Sequence, residues 1–207
     1  MNTDDVLIIG AGASGSTAAF HLAKEGFKVK ILEKSSDFAI KPCAGGMAAS
    51  VQKFFPFPLE PIIDEIIKKV NFTWCLSDQV IAELPGNSPF WIVKRENLDS
   101  YISTNAVKQG AELLTSFEVK EISKTNNLWS ITAKDGRQVN SKCIVIANGS
   151  NSTLSHKFNL GPKKLHYAST TSVRLKGNGF LKKDTSIFDF GLVKYGFAWA
   201  FPLKDSV

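Results

Sequence analysis

"DDVLIIGAGASGSTAAF" (residues 4–20) is the stretch on which the fold turns. Val6 to Ile9 is a continuous apolar run, the pattern of a parallel strand buried on both faces. Residues 14–26 then show helical spacing, with Ala18, Ala19, Leu22 and Ala23 on one side and Gly26 placed as the C-terminal glycine. The alternating KVKILEK (28–34) predicts a second strand and completes a βαβ unit of roughly thirty residues. Between first strand and helix, Gly10, Gly12 and Gly15 spell G-x-G-x-x-G. Gly10 permits the tight turn, Gly12 leaves room for a pyrophosphate, and Gly15 lets the helix pack close on the strand. The helix N-terminus, with Ser14 in its first turn, offers N–H groups to phosphate charge. Glu33 ends the second strand, where a carboxylate accepts hydrogen bonds from both hydroxyls of an adenosine ribose and repels a 2′-phosphate. Strand, glycines, helix and acid agree, so the stretch predicts dinucleotide binding more specifically than glycines alone.

Working outward, 207 residues suffice for one large domain or two small ones. Apolar residues make up 43% and charged residues 21%, a balance that supports a sizeable core. No apolar run is long enough for a transmembrane helix. MNTDD is acidic and leads straight into a strand, so it does not read as a signal peptide. Cys43, Cys75 and Cys143 are odd in number and lack CxxC spacing, so neither a disulfide framework nor a metal site is expected, and a reducing, cytoplasmic location fits. The net charge of +6 comes from scattered lysines and reads as a solvated surface. Nucleic-acid binding is not expected, because no basic face with interleaved aromatics is evident. A mildly basic surface leaves room for peripheral contact with anionic lipid headgroups.

After residue 34 the pattern changes. KPCAGGMAAS (41–50) reads as a turn and a short helix, and FFPFPLEP (54–61) as a proline-broken loop. Residues 70–76 and 79–84 read as short antiparallel strands around a Ser77-Asp78 turn. Residues 95–110 have helical spacing, with Leu98, Ile102 and Ala106 on one face. Residues 111–150 read as strand after strand, with turns at Asn126-Asn127 and Asp135-Gly136. The apolar CIVIANG (143–149) returns to the parallel sheet, and further strands are expected at 167–176, 186–193 and 196–202. The predicted fold class is α/β: a Rossmann-like nucleotide-binding domain with a parallel sheet (1–50 and 93–160), interrupted by a mostly antiparallel β domain (51–92 and 161–207).

Three further stretches carry a resemblance. KPCAGGM (41–47) looks like a Lys-Pro-Cys-Gly-Gly loop, VKRENLDSYI (93–102) like an Arg-x-x-(Phe/Leu)-Asp helix start, and FAWAFP (197–202) like a Tyr-x-Trp-x-Phe-Pro signature. With ILEK, in which Lys34 follows Glu33, they resemble the geranylgeranyl reductase family of FAD-dependent oxidoreductases, which share the hydroxybenzoate-hydroxylase-type fold. The resemblance covers almost all of the chain. It implies FAD as cofactor, NADPH or another reductant as electron donor, and a prenyl-chain substrate on a pigment, lipid or diphosphate. It places Cys43, Ala44 and Gly46 on the flavin and Arg95 on the pyrophosphate, with Asp99 at helical spacing to orient Arg95. It extends an adenine contact to the backbone at Val119. Cys43 is also the candidate catalytic residue, facing the substrate; the other reading is a buried, inert small residue, and no base that would activate it can be named. Phe197, Trp199 and Phe201 alternate onto one strand face, with Tyr195 two positions earlier. They read either as core packing or as an apolar wall for an isoprenoid chain. ANGSNS (147–152) carries Asn148 and Gly149 where the family has Ala-Asp-Gly. An amide keeps the hydrogen bonding but not the charge, so no acid–base role carries over to Asn148.

The family also carries a later Gly-Asp segment that reaches the flavin's sugar-like chain, and no Gly-Asp dipeptide occurs here. The expectation is therefore an N-terminal fragment, truncated product or split gene, with weak or absent FAD binding by this polypeptide alone. The leading function is reduction of prenyl carbon–carbon double bonds. The alternatives are a flavin monooxygenase, halogenase-like or cyclase-like enzyme of the same fold, and a non-catalytic remnant.

Overall fold

The computed structural model describes residues 3–38, 42–150, 152–160, 164, 166–177 and 181–207. The opening apolar run forms β1 (Asp4–Ile9), followed by α1 (Ala13–Lys24) and β2 (Val29–Leu32). The chain then makes β3 (Gly46–Ala48), β4 (Ile63–Ile67), β5 (Lys69–Trp74), β6 (Ser77–Glu83) and β7 (Phe90–Val93). Next come α2 (Arg95–Lys108), β8 (Glu112–Leu114), β9 (Val119–Thr125), β10 (Leu128–Ala133), β11 (Gln138–Ile146) and α3 (Thr153–Lys157), and finally β12 (Thr185–Phe190) and β13 (Phe197–Ala200). They divide into two compact units: Met1–Ile40 with Leu98–Ala168, and Lys41–Asn97 with Ser169–Val207.

The first unit is built on a six-stranded sheet ordered β8-β2-β1-β11-β10-β9. Its first four strands pair in parallel, whereas β10 and β9 continue antiparallel. As residues 143–149 predict, β11 returns beside β1, with Val6 opposite Cys143 and Ile9 opposite Ile146. Leu7, Ile9, Leu32, Phe117, Ile122 and Ile131 form one buried cluster on this sheet. Each fully buried side chain of this kind contributes about 1.5–3 kcal/mol of hydrophobic free energy. Helix α1 buries Gly15, Ser16, Ala19, Phe20 and Ala23. Ala18 and Leu22, expected on that face, are only half-buried. The close approach of Gly15 to Gly10 and Ile8 sets the helix rotation, turning Phe20 inward instead. Both predicted turns of this unit form, with positive φ at Asn126, Asn127 and Gly136.

The second unit holds two sheets, β3-β7-β4 and β13-β12-β5-β6. All pairs are antiparallel except β5 with β12. Ile67, Ile92, Phe201 and Leu203 are its core. Four expectations are corrected here. The short helix expected at 41–50 is replaced by β3, and the following 3-10 turn runs over Ala49–Phe54. The β5–β6 turn is Cys75-Leu76, not Ser77-Asp78, because Trp74 pairs with Ser77 in the ladder. The strand expected at 167–176 does not form; residues 166–177 join a ladder only through a bridge between Lys176 and Ser206. Residues 42–50 and 93–97, assigned above to the nucleotide-binding domain, lie in the second unit, because β3 pairs with β7 rather than with the parallel sheet.

Candidate functional site

The glycine loop sits at the C-terminal ends of β1, β2 and β11, where ligands of open parallel α/β sheets bind. Gly10 has φ 105°, and a Cβ there would lie 2.6 Å from the Ala147 carbonyl oxygen and 3.1 Å from the Asn148 Cα. A Cβ on Gly15 would lie 1.9 Å from the Gly10 carbonyl oxygen. Both glycines are thus required by backbone packing, and the first brings the Asn148 segment against the loop. Gly12 is the N-cap of α1, no side chain caps it, and the first turn holds no acidic residue. Its free N–H groups, Ser14 among them, suit an anionic group. Ser14, Asn148 and Gly149 are exposed, and Gly149 has φ 90°.

Glu33 does more than its sequence position implies. Oε2 accepts a hydrogen bond from the Ala11 N–H at 2.8 Å, and Oε1 accepts from the Ser35 N–H at 3.1 Å. One carboxylate therefore braces the glycine loop and the end of β2 together. Each oxygen keeps a second lone pair, so both remain able to accept from ribose hydroxyls. Lys34 points to solvent. Val119 pairs with Ala133 at a register shift and packs its side chain on the core, which leaves the backbone as the part able to meet an adenine. Gly10, Gly12, Gly15, Glu33 and Asn148 thus come together in the first unit.

The second unit gathers another set. Cys43 is exposed, which removes the buried-and-inert reading. Its Sγ accepts from the Gly45 N–H at 3.4 Å, and the Arg95 Nη1 lies 3.6 Å away. Gly45 is the residue that sequence reasoning passed over. It has φ 77°, and a Cβ would lie 1.8 Å from the Val93 carbonyl oxygen. A Cβ on Gly46 would meet the Phe201 and Phe90 rings at 2.8 Å. The Gly-Gly dipeptide was the available signal: the first glycine serves the backbone and the second serves a flat aromatic contact. Ala44 packs against the same core. Asp99 is buried within α2. Lys41 and Asn151 lie outside the described residues.

The aromatic strand divides. Phe201 is a core residue, with ring centroids 5.3 Å from Phe188 and 6.3 Å from Phe90, so it is not part of an open wall. Phe197 is 45% exposed. Ladder register puts Phe197 and Trp199 on one face with Phe188 and Phe190 of β12 and with Phe72 and Trp74 of β5. Tyr195 is not on that strand, as expected above, but in the preceding loop, at φ 60° and 97% exposed. Among the described residues, no helix is long and apolar enough to cross a membrane, and no metal-holding group of His, Cys, Asp and Glu occurs.

Residues 5–185 match the family model described as glucose inhibited division protein A. The chain is 30% identical to an uncharacterized protein of Methanosarcina barkeri over 208 residues, covering all of this chain and 53% of that one. It is 24% identical to a digeranylgeranylglycerophospholipid reductase of Methanococcus vannielii, covering 98% of this chain and 53% of the relative. The crystal structure of a geranylgeranyl bacteriochlorophyll reductase-like protein from Thermoplasma acidophilum superposes with a TM-score of 0.82 at 22% identity, covering 99% of this chain and 55% of that one. The chain spans about half the length of the curated relatives it matches. The resemblance to geranylgeranyl reductases read from its motifs is borne out, as is the α/β fold class.

Proposed function

The chain belongs to the glucose inhibited division protein A family, and from that premise we propose that it is part of an FAD-dependent oxidoreductase that reduces carbon–carbon double bonds of prenyl chains. The observation that carries the FAD part is the Glu33 carboxylate, held by the Ala11 and Ser35 N–H groups beside the uncapped start of α1. Gly12 and Ser14 hold the pyrophosphate, Glu33 the ribose, and the backbone at Val119 the adenine. Asn148 and Gly149 line the loop beside Gly10. In the second unit, taken by itself, the exposed Cys43 and Gly46 suit contact with a planar ring, and Arg95 has a fork suited to phosphate. Bound in reduced form, the flavin would supply the hydride for an alkene. The chain's own share is to bind, orient and desolvate.

The prenyl part rests on similarity to a digeranylgeranylglycerophospholipid reductase and on the aromatic face of β5, β12 and β13. Phe197 and Trp199 there offer rings to an apolar chain. NADPH or another reductant is the proposed electron donor.

The FAD part is tested by titrating the protein with FAD and following flavin fluorescence. Glu33→Gln should weaken binding about tenfold, as expected when a charged acceptor on ribose becomes neutral. Equal binding of FAD by both proteins would overturn the assignment of Glu33. The prenyl part is tested by mass spectrometry of a digeranylgeranylglycerophospholipid incubated with the protein, FAD and dithionite. Addition of two hydrogens per double bond supports it. Oxygen consumption with an aromatic substrate, and no alkene reduction, would overturn it.

A further inference from the structure

In the first unit, the backbone expected to meet adenine is fastened from two sides. It enters β9 through Ser116, Phe117 and Glu118, with Ser116 at φ 51°, a left-handed backbone that side chains disfavour. On one side the end of β2 holds it. The Ser116 N–H donates to the Ser35 carbonyl at 3.0 Å, and the Phe117 N–H donates to the Glu33 carbonyl at 2.8 Å. These are the same two residues that the Glu33 carboxylate already joins. On the other side stands the turn between β10 and β11. The Lys134 N–H donates to the Glu118 carbonyl at 2.8 Å. The Arg137 guanidinium donates to the Ser116 carbonyl through Nη2 and lies over the Phe117 ring, its central carbon 5.1 Å from the centroid.

Asp135 sets the direction of that guanidinium. Its Oδ2 accepts from Arg137 Nε at 2.8 Å and lies 2.7 Å from Nη2, while its Oδ1 accepts from the Arg137 N–H at 3.0 Å. The Arg137 carbonyl accepts from the Ala133 N–H at 2.8 Å, and Ala133 is paired with Val119 at the register shift. One residue thus reaches Ser116 by its fork, Phe117 by its flat face and Val119 through Ala133. The Arg137–Asp135 pair is about half exposed, and exposed pairs add little stability. A lysine would supply charge there, but not a planar fork that donates to a carbonyl while lying on a ring. What the arrangement fixes is therefore position: the peptide plane after Ser116, and with it the direction in which the backbone faces as far as Val119.

We propose that Arg137 is a positioning residue for the adenine end of the nucleotide, holding the 116–119 backbone at the spacing from Glu33 at which one adenosine meets both. The inference rests on the nucleotide reading above and deepens it, adding selection of the base. Adenine donates from its N6 amino group and accepts at N1, so a well-placed backbone carbonyl and N–H satisfy both. Hypoxanthine reverses the pattern, with an acceptor at O6 and a donor at N1, and gains nothing from that backbone. Arg137 acts through the segment it holds rather than by touching the base.

The test is calorimetric titration with ADP and with IDP, which share ribose and diphosphate and differ in the base edge. The unaltered protein should bind ADP about tenfold more tightly than IDP, as expected from the hydrogen bonds that only adenine makes. Arg137→Gln should bind ADP about tenfold more weakly and IDP as before, so that the selectivity disappears. Arg137→Lys, which keeps the charge over Phe117 but not the fork, should also lose selectivity, at an unchanged melting temperature. Equal weakening of ADP and IDP would overturn the positioning role, because a merely structural residue would affect both alike. So would selectivity retained in both variants, or equal affinity of the unaltered protein for ADP and IDP. Absence of ADP binding by the unaltered protein would instead overturn the nucleotide reading itself, and the role of Arg137 with it.

Discussion

Asn126-Asn127 and Cys75-Leu76 close hairpins of the same length with nearly the same backbone: φ 50° and 63° in one, 50° and 64° in the other. In the first unit the residues suit the geometry, since asparagine tolerates left-handed φ better than most residues. In the second they do not, and the geometry is imposed from elsewhere. Asp189 on β12 is 2% exposed. Its Oδ2 accepts from the Leu76 N–H at 2.7 Å and from the Thr73 hydroxyl at 2.5 Å. A buried carboxylate more than a hundred residues away in sequence holds the turn that its own residues disfavour. Two identical turns can thus be specified locally or through the fold.

The largest way to break this comparison is to remove the clamp. Asp189→Ala should destabilise the protein by about 2–4 kcal/mol, because two donors lose their acceptor in a buried site. Urea unfolding checks it, and a loss no larger than a surface substitution would show that the turn stands without help. Exchanging turn residues should have smaller, opposite effects. Cys75→Asn with Leu76→Gly should raise stability by about 1 kcal/mol, and Asn126→Cys with Asn127→Leu should lower it by about as much. Thermal melts of both would show whether the two backbones are as alike energetically as geometrically.

The smallest effect separates a buried carboxylate from a more exposed one in the same unit. Burial works against the charge of Glu96, and the Arg174 hydrogen bond at 2.8 Å, with other attractions, outweighs it and holds the carboxyl below its ordinary value. A depressed folded value gives stability that is present above the unfolded value and lost as pH falls through the folded one. Arg174→Gln should therefore lower stability by only about 0.5 kcal/mol at neutral pH. The two proteins should converge as pH falls through the depressed Glu96 value, which unfolding curves along a pH series would reveal.

The same contrast explains what the sequence made legible. Gly10, Gly12, Gly15 and Glu33 lie within one βαβ unit, so their pattern is local, and the structure reproduces its elements nearly to the residue. Residues 75–76 gave no turn signal, whereas Ser77-Asp78 gave a misleading one, because Asp189 acts on them through tertiary contact. Strands β3, β4 and β7 are three to five residues long and find partners distant in sequence, so no periodicity exposes them. Residues 167–176 alternate like a strand but join no ladder beyond the single bridge of Lys176. In the candidate site, the identities of Glu33 and Gly46 were readable. The brace from Glu33 to the Ala11 N–H, and the need for Gly45, became visible only with the backbone folded.

The brace at Glu33 has an entropic consequence. It links Ala11 to Ser35 through one carboxylate, so the loop is immobilised during folding rather than at the moment of capture. An incoming nucleotide then meets a receptor already in its bound shape and forfeits less of its binding free energy to ordering. It also gives folding and capture a shared dependence on a single charge: whatever neutralises Glu33 loosens the receptor before any ligand arrives.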